Sequence, residues 1–258
     1  MPADPLLRTG EYARKQLFGG MGVLRWSHGG RFRTGRALVA PHAGRRLLDY
    51  GCGDGTFLAR VHDLFPAAVG VEVDPALVAA AAARLGALDG LSFVHAGALD
   101  AFADGSFGVA VCMEVLEHCT PDAVDRVLAD LRRLVAPDGA VVISVPVETG
   151  PVLAVKQAFR ALAGARGLPG YRERERYTPR ELLRMLAPGE ADAIPRPVYT
   201  TAFAGGEPNR YHGHKGFNWR ALRRRVARDF TVRRTCFSPL GPLGPLLNSQ
   251  AWFVCTPR

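Results

Sequence analysis

From residue 45 onward the apolar residues come in short, near-continuous runs: RRLLDY (45–50), AVGVEV (68–73), LSFVH (91–95), FGVAVCM (107–113) and AVVISV (140–145). Runs of this length, rich in β-branched residues and lacking polar alternation, mark strands buried on both faces of a parallel sheet. Between them the pattern changes to a helical one. TFLARVHDLF (56–65) follows a cluster of glycines, and PALVAAAAARLG (75–86) opens with Pro in its first turn. TPDAVDRVLADLRRLVAPDG (120–139) starts on Thr, carries apolar residues at 124, 127, 128, 131, 134 and 135, and stops at Pro-Asp-Gly. Strands alternating with helices predict right-handed βαβ units and an open, doubly wound α/β sheet.

After Val147 this rhythm breaks. Residues 148–216 mix Gly, Pro, Tyr and charges around two amphipathic pieces, PVLAVKQAFRAL and the Thr-capped TPRELLRML. The alternation then resumes with NWRALRRRVARDF as a helix, TVRRTCF as a strand, a Gly/Pro loop and SQAWFVCT as a last strand. The expected organisation is a helical cap over residues 1–44, a core over 45–147, an inserted lid over 148–216 and a closing part of the sheet over 217–258. A connection of about seventy residues inside a compact domain is usually functional.

The polar residues at the strand ends carry the chemistry. In LLDYGCGDGTF (47–57) Asp49, Gly51, Gly53 and Gly55 lie between a strand and a helix. Glycines here let the backbone turn sharply and let a ligand lie against main-chain amides. A dinucleotide fingerprint needs a glycine where Thr56 stands, and a P-loop needs Gly-Lys-Ser/Thr, so a pyrophosphate cradle is disfavoured. Asp49 supplies a carboxylate for an amino-bearing ligand. Glu72 closes the next strand, where a carboxylate accepts both hydroxyls of a ribose. An amino acid joined to an unphosphorylated adenosine fits all three features.

LLDYGCGDGTF, GVEVDP, DGSFGVAVCMEVLEH and LRRLVAPDGAVVISVP, in this order and spacing, resemble class I S-adenosylmethionine (SAM)-dependent methyltransferases. The subgroup most similar contains the ubiquinone-biosynthesis O-methyltransferases and many natural-product methyltransferases. The resemblance implies a seven-stranded, mostly parallel Rossmann-like sheet and SAM as cofactor. It places Asp49, Gly51 and Gly53 on the methionine moiety, Glu72 on the ribose diol and Val73 beside the adenine. Met113 would approach the sulfonium, and Arg31 would meet the cofactor carboxylate. The family often has Gly-Asp-Ala after the third strand, where this chain has Ala96-Gly97-Ala98. Gly97 and Ala98 thus fall at the adenine without the Asp that accepts from its amino group, unless Asp100 swings in.

Methyl transfer from a sulfonium is an in-line displacement, and a base is required only if the acceptor is a hydroxyl or a protonated amine. His118, just past the fourth strand, and His214, in RYHGHKGFNW (210–219), are the candidate bases. A packing or capping role for His118, and an exposed loop anchored by Phe217 and Trp219 for His214, compete with that reading. His212 and His214 stand two apart, but no carboxylate or Cys joins them nearby in sequence, so no metal is expected.

The bulk numbers refine this picture without redirecting it. The chain has 258 residues, is 48% hydrophobic and carries a net charge of +9, yet 30 of its 33 basic residues are Arg in a chain also rich in Ala, Gly and Pro. That bias fits a GC-rich genome better than a nucleic-acid partner. No run of eighteen apolar residues and no signal peptide are evident, and the five scattered cysteines fit a cytoplasmic, reducing setting. The expected activity is methyl transfer to a small-molecule acceptor, at a hydroxyl oxygen, in secondary-metabolite or quinone-like biosynthesis. The alternatives are an RNA or protein methyltransferase and a non-catalytic SAM-fold binding protein.

Overall fold

The computed structural model describes residue 10 and residues 22–167, 175–191, 193–203 and 208–258. EYARKQLFGG and the first four residues of YRERERY lie outside the described residues. A seven-stranded sheet organises the molecule, with order β3-β2-β1-β4-β5-β9-β8. Its strands are β1 (Arg46–Tyr50), β2 (Ala67–Glu72), β3 (Leu91–His95), β4 (Phe107–Met113), β5 (Val135–Pro146), β8 (Phe230–Ser238) and β9 (Gln250–Pro257). The first five pair in parallel, and β9 runs antiparallel between β5 and β8.

Both faces of the sheet are covered, which explains the lack of polar alternation in its strands. One face packs Leu48, Ala110, Val141 and Phe253 against α4 (Pro121–Leu134) and α7 (Trp219–Asp229). The other packs Leu47, Val109, Val142 and Trp252 against α1 (Gly22–Val39) and the short α2 (Leu58–Val61). Each fully buried Leu or Phe contributes about 1.5–3 kcal/mol. Helix α3 (Pro75–Leu85) starts as expected, with Asp74 accepting from the Ala76 amide at its N-cap.

Two boundaries differ from the sequence reading. The helix expected to stop at Pro137-Asp138-Gly139 ends already at Leu134, because Val135 is buried opposite Phe107 as the first residue of β5. The Ala-Pro-Asp-Gly that follows is a register shift in that strand rather than a helix stop. The helix expected over 56–65 is reduced to α2 and a 3₁₀ turn at His62–Leu64, since Asp54 captures both the amide (3.1 Å) and the hydroxyl (2.6 Å) of Thr56.

Between β5 and the closing strands lie α5 (Pro151–Ala165), α6 (Pro179–Leu186) and an antiparallel pair, β6 (Val198–Ala202) and β7 (Pro208–His212). Leu153, Met185 and Ile194 give this region a small core of its own. Helix α6 begins with a reciprocal capping box between Thr178 and Glu181. No helix among the described residues is long and apolar enough to cross a membrane.

Candidate active site

The turn after β1 is built from left-handed backbone. Gly51, Gly53 and Gly55 have φ of 79°, 55° and 74°, a region costly for residues with a Cβ. Their roles differ. A side chain on Gly51 would overlap Val115, and one on Gly55 would strike Leu85 and Phe93, so both hold close packing. At Gly53 a Cβ would meet nothing within 4 Å. Gly53 is the glycine that faces open space.

Asp49, the penultimate residue of β1, lies between Gly70 of β2 and Val111 of β4 and is 1% exposed. Burial first, and the nearby Glu72 second, push its carboxyl up to about 8. Its Oδ2 has no hydrogen-bond partner. A buried carboxyl left this way is a binding place for a cation. Glu72 is held by main chain: Oε2 accepts from the Gly53 amide (2.9 Å), and Oε1 from the amides of Val73 (2.7 Å) and Asp74. The carboxylate of Glu72 is thereby fixed against the glycine turn, with lone pairs remaining for a diol. Val73 beside it is exposed.

His95, which sequence reasoning overlooked, organises the next turn. Its Nδ1 accepts from the Gly97 amide (3.1 Å), so Nε2 carries the proton and donates to the Val73 carbonyl (3.0 Å). This ties Val73 to the exposed Gly97-Ala98 turn. Asp100 does not swing toward that turn: it is fully exposed, 3.8 Å from Arg133.

At the end of β4, Met113 packs under α1, where Gly35 leaves room for its sulfur. Glu114 follows with φ of 56°, the one left-handed non-glycine among the described residues. Ser144 donates to its Oε1 (3.1 Å), and Arg31 of α1, itself buried, lies 3.3 Å from Oε2. Arg31 therefore reaches the strand end, through Glu114. Strained backbone at a strand end is a signal of function that sequence does not carry.

Beyond Glu114 the turn presents Glu117 and His118, and the loop after β7 brings His214 to them. The rings of His118 and His214 are 5.1 Å apart between centroids. His118 Nδ1 donates to the His212 carbonyl (2.9 Å), which leaves the Nε2 lone pair open, 3.8 Å from Glu117 Oε1. Burial is the main cause lowering the His118 pKa, favouring the neutral ring. Glu117 is fully buried, and neither of its carboxyl oxygens has a hydrogen-bond partner. Burial and then Glu114 raise its pKa well above the ordinary carboxylate value. Arg196 supports the turn from behind by donating to the carbonyls of Glu117 and of Gly213 (3.0 Å for the latter).

His212 does not join this group. It is buried and bonds the Pro197 carbonyl through Nδ1 (2.7 Å), a structural role. The His214 loop is instead clasped by Glu175, which accepts from the Lys215 amide (2.7 Å), and by Tyr177, whose hydroxyl accepts from the Gly216 amide (3.0 Å). Phe217 and Trp219 anchor it in the core. On its far side His214 Nδ1 is 3.6 Å from Glu148. Burial alone would raise the pKa of Glu148, but Lys156 (3.0 Å), His214 and Arg160 (2.9 Å) outweigh it and hold the carboxylate well below its ordinary range.

A family model for a methyltransferase domain matches residues 48–143. An uncharacterised methyltransferase of Mycolicibacterium gilvum is 33% identical over 195 residues, covering 72% of each chain. A ubiquinone biosynthesis O-methyltransferase of Caulobacter is 29% identical over 194 residues, 73% of this chain and 69% of the relative. Among solved structures, a putative S-adenosylmethionine-dependent methyltransferase from Listeria monocytogenes superposes with a TM-score of 0.56 at 13% identity, over 90% of this chain and 99% of that one.

Proposed function

This chain belongs to the class I SAM-dependent methyltransferases, and on that premise we propose that it methylates a small molecule at a hydroxyl oxygen. SAM is its cofactor. Asp49 would meet the cofactor's ammonium group, Glu72 its ribose hydroxyls, and the Gly53 amide edge its methionine moiety, with the Val73, Gly97 and Ala98 turn beside the adenine. Arg31, through Glu114, and Met113 would shape the end of β4 where the methyl donor lies. Open α/β sheets bind ligands beyond the carboxyl ends of their strands, at the same edge as these residues.

The observation that carries the acceptor reading is the pair His118 and His214, 5.1 Å apart and just past β4. A phenol or enol hydroxyl must lose its proton as its oxygen attacks the methyl carbon, and two imidazoles at that place, with burial favouring the neutral ring of His118, suit the task. Residues 148–216 would act as the lid that brings His214 to the acceptor and excludes water. A secondary-metabolite or quinone-like acceptor fits a site of this kind, and the similarity to a ubiquinone biosynthesis O-methyltransferase supports it. All five cysteines are unpaired, as suits the reducing cytoplasm we propose for it. The test is turnover with a panel of catechols and hydroxyquinones. His118→Ala or His214→Ala should lower kcat by about 10²-fold with SAM affinity retained. Methylation of amines but not of hydroxyls would contradict the reading.

A second reading, an RNA acceptor, is favoured by one feature. An open cleft of about 1250 Å³ runs between α4, β7 and α7, lined by Arg126, Arg196, Arg210, Arg224, Arg225 and Arg228, with Asp122 as the one acidic lining residue among the described residues. Arg225 is already paired with Asp125 (2.7 Å). Binding to structured RNA that survives physiological salt would favour this reading over the small molecule.

A further inference from the structure

We propose that Glu117, His118 and His214 form a binding site for one divalent transition-metal ion. The sequence pair His212 and His214 lacks a third ligand, but folding replaces His212 by His118 and supplies the carboxylate from Glu117, 97 residues before His214. One ligand atom from each of Glu117, His118 and His214 lies within 4.8 Å of the others. Metal–ligand bonds of about 2.0–2.2 Å place ligand atoms roughly 3–4 Å apart, so closing around an ion needs only small side-chain movements. His118 Nε2 and Glu117 Oε1, at 3.8 Å, already stand at that spacing.

Three features separate this cluster from a chance gathering of polar groups. Glu117 is completely buried and both its oxygens are without a hydrogen-bond partner, which is costly for a carboxyl with no ligand to meet. Each imidazole has its far nitrogen turned to an oxygen acceptor, as a metal-bound histidine requires. His118 Nδ1 donates to the His212 carbonyl, and His214 Nδ1 faces Glu148, so Nε2 of both rings is left to bind. Glu148 in turn is fixed by Lys156 and Arg160. The far side of the site is thus as ordered as its near side.

One carboxylate and two imidazoles select Zn²⁺ or Mn²⁺ over Mg²⁺ and Ca²⁺, which prefer oxygen ligands. Three protein ligands leave open positions, the pattern of a site that also holds substrate. What the ion does there rests on the hydroxyl-acceptor reading; that it binds does not. The acceptor oxygen would bind the ion and release its proton to solvent. An oxygen lone pair then forms the new O–C bond while the C–S bond breaks with both electrons to sulfur, giving neutral S-adenosylhomocysteine.

The experiment is calorimetric titration of the chelator-stripped full chain with Zn²⁺, Mn²⁺ and Mg²⁺, without substrate, followed by absorption spectra with Co²⁺. The expected result is one Zn²⁺ or Mn²⁺ per chain, Mg²⁺ at least tenfold weaker, and a Co²⁺ spectrum showing nitrogen ligands. His214→Ala, at a half-exposed position, should weaken Zn²⁺ by about 10²-fold and alter the Co²⁺ spectrum with the circular dichroism unchanged. Glu117→Gln should do the same if it folds. Equal Zn²⁺ affinity and stoichiometry in wild type and His214→Ala overturns the site. If no ion binds yet both histidine variants lose turnover, the imidazoles act on the proton directly and this inference falls while the acceptor reading stands. If the ion binds as expected and no hydroxyl is methylated, the site stands and the acceptor reading falls.

Discussion

The two halves of the proposed active site, one for the cofactor and one for the acceptor, are built in opposite ways. The cofactor half, from Asp49 to Ala98, comes from consecutive β–turn–α units, and each functional group sits at the end of the strand that delivers it. The acceptor half gathers Glu117 and His118 from the turn after β4, Glu148 from the end of β5, and His214 from a loop about a hundred residues further on. Three buried carboxyl groups sharpen the contrast. Asp49 and Glu117 are raised by burial, and Asp49 Oδ2 and both Glu117 oxygens have no hydrogen-bond partner, whereas Glu148 is lowered because Lys156, His214 and Arg160 surround it. An uncompensated buried acid marks a place where a cation arrives from outside; a compensated one holds the structure together.

The largest expected effect breaks the compensated acid. Glu148→Ala would strand the charges of Lys156 and Arg160 and release α5 from the end of β5. Stability should fall by about 3 kcal/mol, read as a shifted denaturation midpoint at constant m-value. SAM affinity measured on the folded variant should be unchanged, because Lys156, Arg160 and His214, the groups that hold Glu148, all lie outside the cofactor half. An equal loss of affinity would erase the division between the halves. The complementary variant is smaller in effect. Glu72→Ala should weaken SAM by about 1–3 kcal/mol through lost charge-assisted bonds to the ribose, with little change in the melting temperature. Calorimetry showing unchanged affinity would remove Glu72 from the cofactor site.

The same contrast explains what the sequence could and could not disclose. Strand β4 falls on the residues its apolar run marked, Phe107–Met113, and Asp49, Gly53 and Glu72 could be named as candidates because their proposed roles follow from position within one local unit. Gly51, expected beside the methionine moiety, is also constrained by packing that the sequence does not show, since a Cβ there would overlap Val115. The β6–β7 pair escaped notice because every residue of β6 is exposed, leaving no apolar alternation to read. His95, Glu114, Glu148 and Arg196 were missed for another reason. Their functions depend on a tautomer, a left-handed backbone angle, a buried ion cluster and two carbonyls from distant loops, none of which a linear pattern contains. His212 and His214 looked alike in sequence, and only the fold turns one inward and the other toward His118.

Asp49 offers the most direct test, since a buried carboxyl whose Oδ2 has no hydrogen-bond partner is the clearest mark of a missing cation. A carboxyl raised to about 8 in the folded chain favours the native state at low pH. That contribution is lost as pH rises from about 4 to about 8, so the cofactor-free protein should soften over this window, and Asp49→Asn should soften less, Glu117 being raised in both. At pH 7 most Asp49 side chains are protonated. An arriving ammonium lowers the carboxyl pKa and expels that proton. Calorimetric titration of SAM at pH 7 in two buffers of different ionisation enthalpy counts it. The expected result is close to one proton released per SAM bound in the wild type and none in Asp49→Asn, whose affinity should fall by about 2–4 kcal/mol. Binding of SAM to the wild type with no proton released, or to Asp49→Asn at undiminished affinity, would contradict the account of Asp49 as the cofactor's counter-ion.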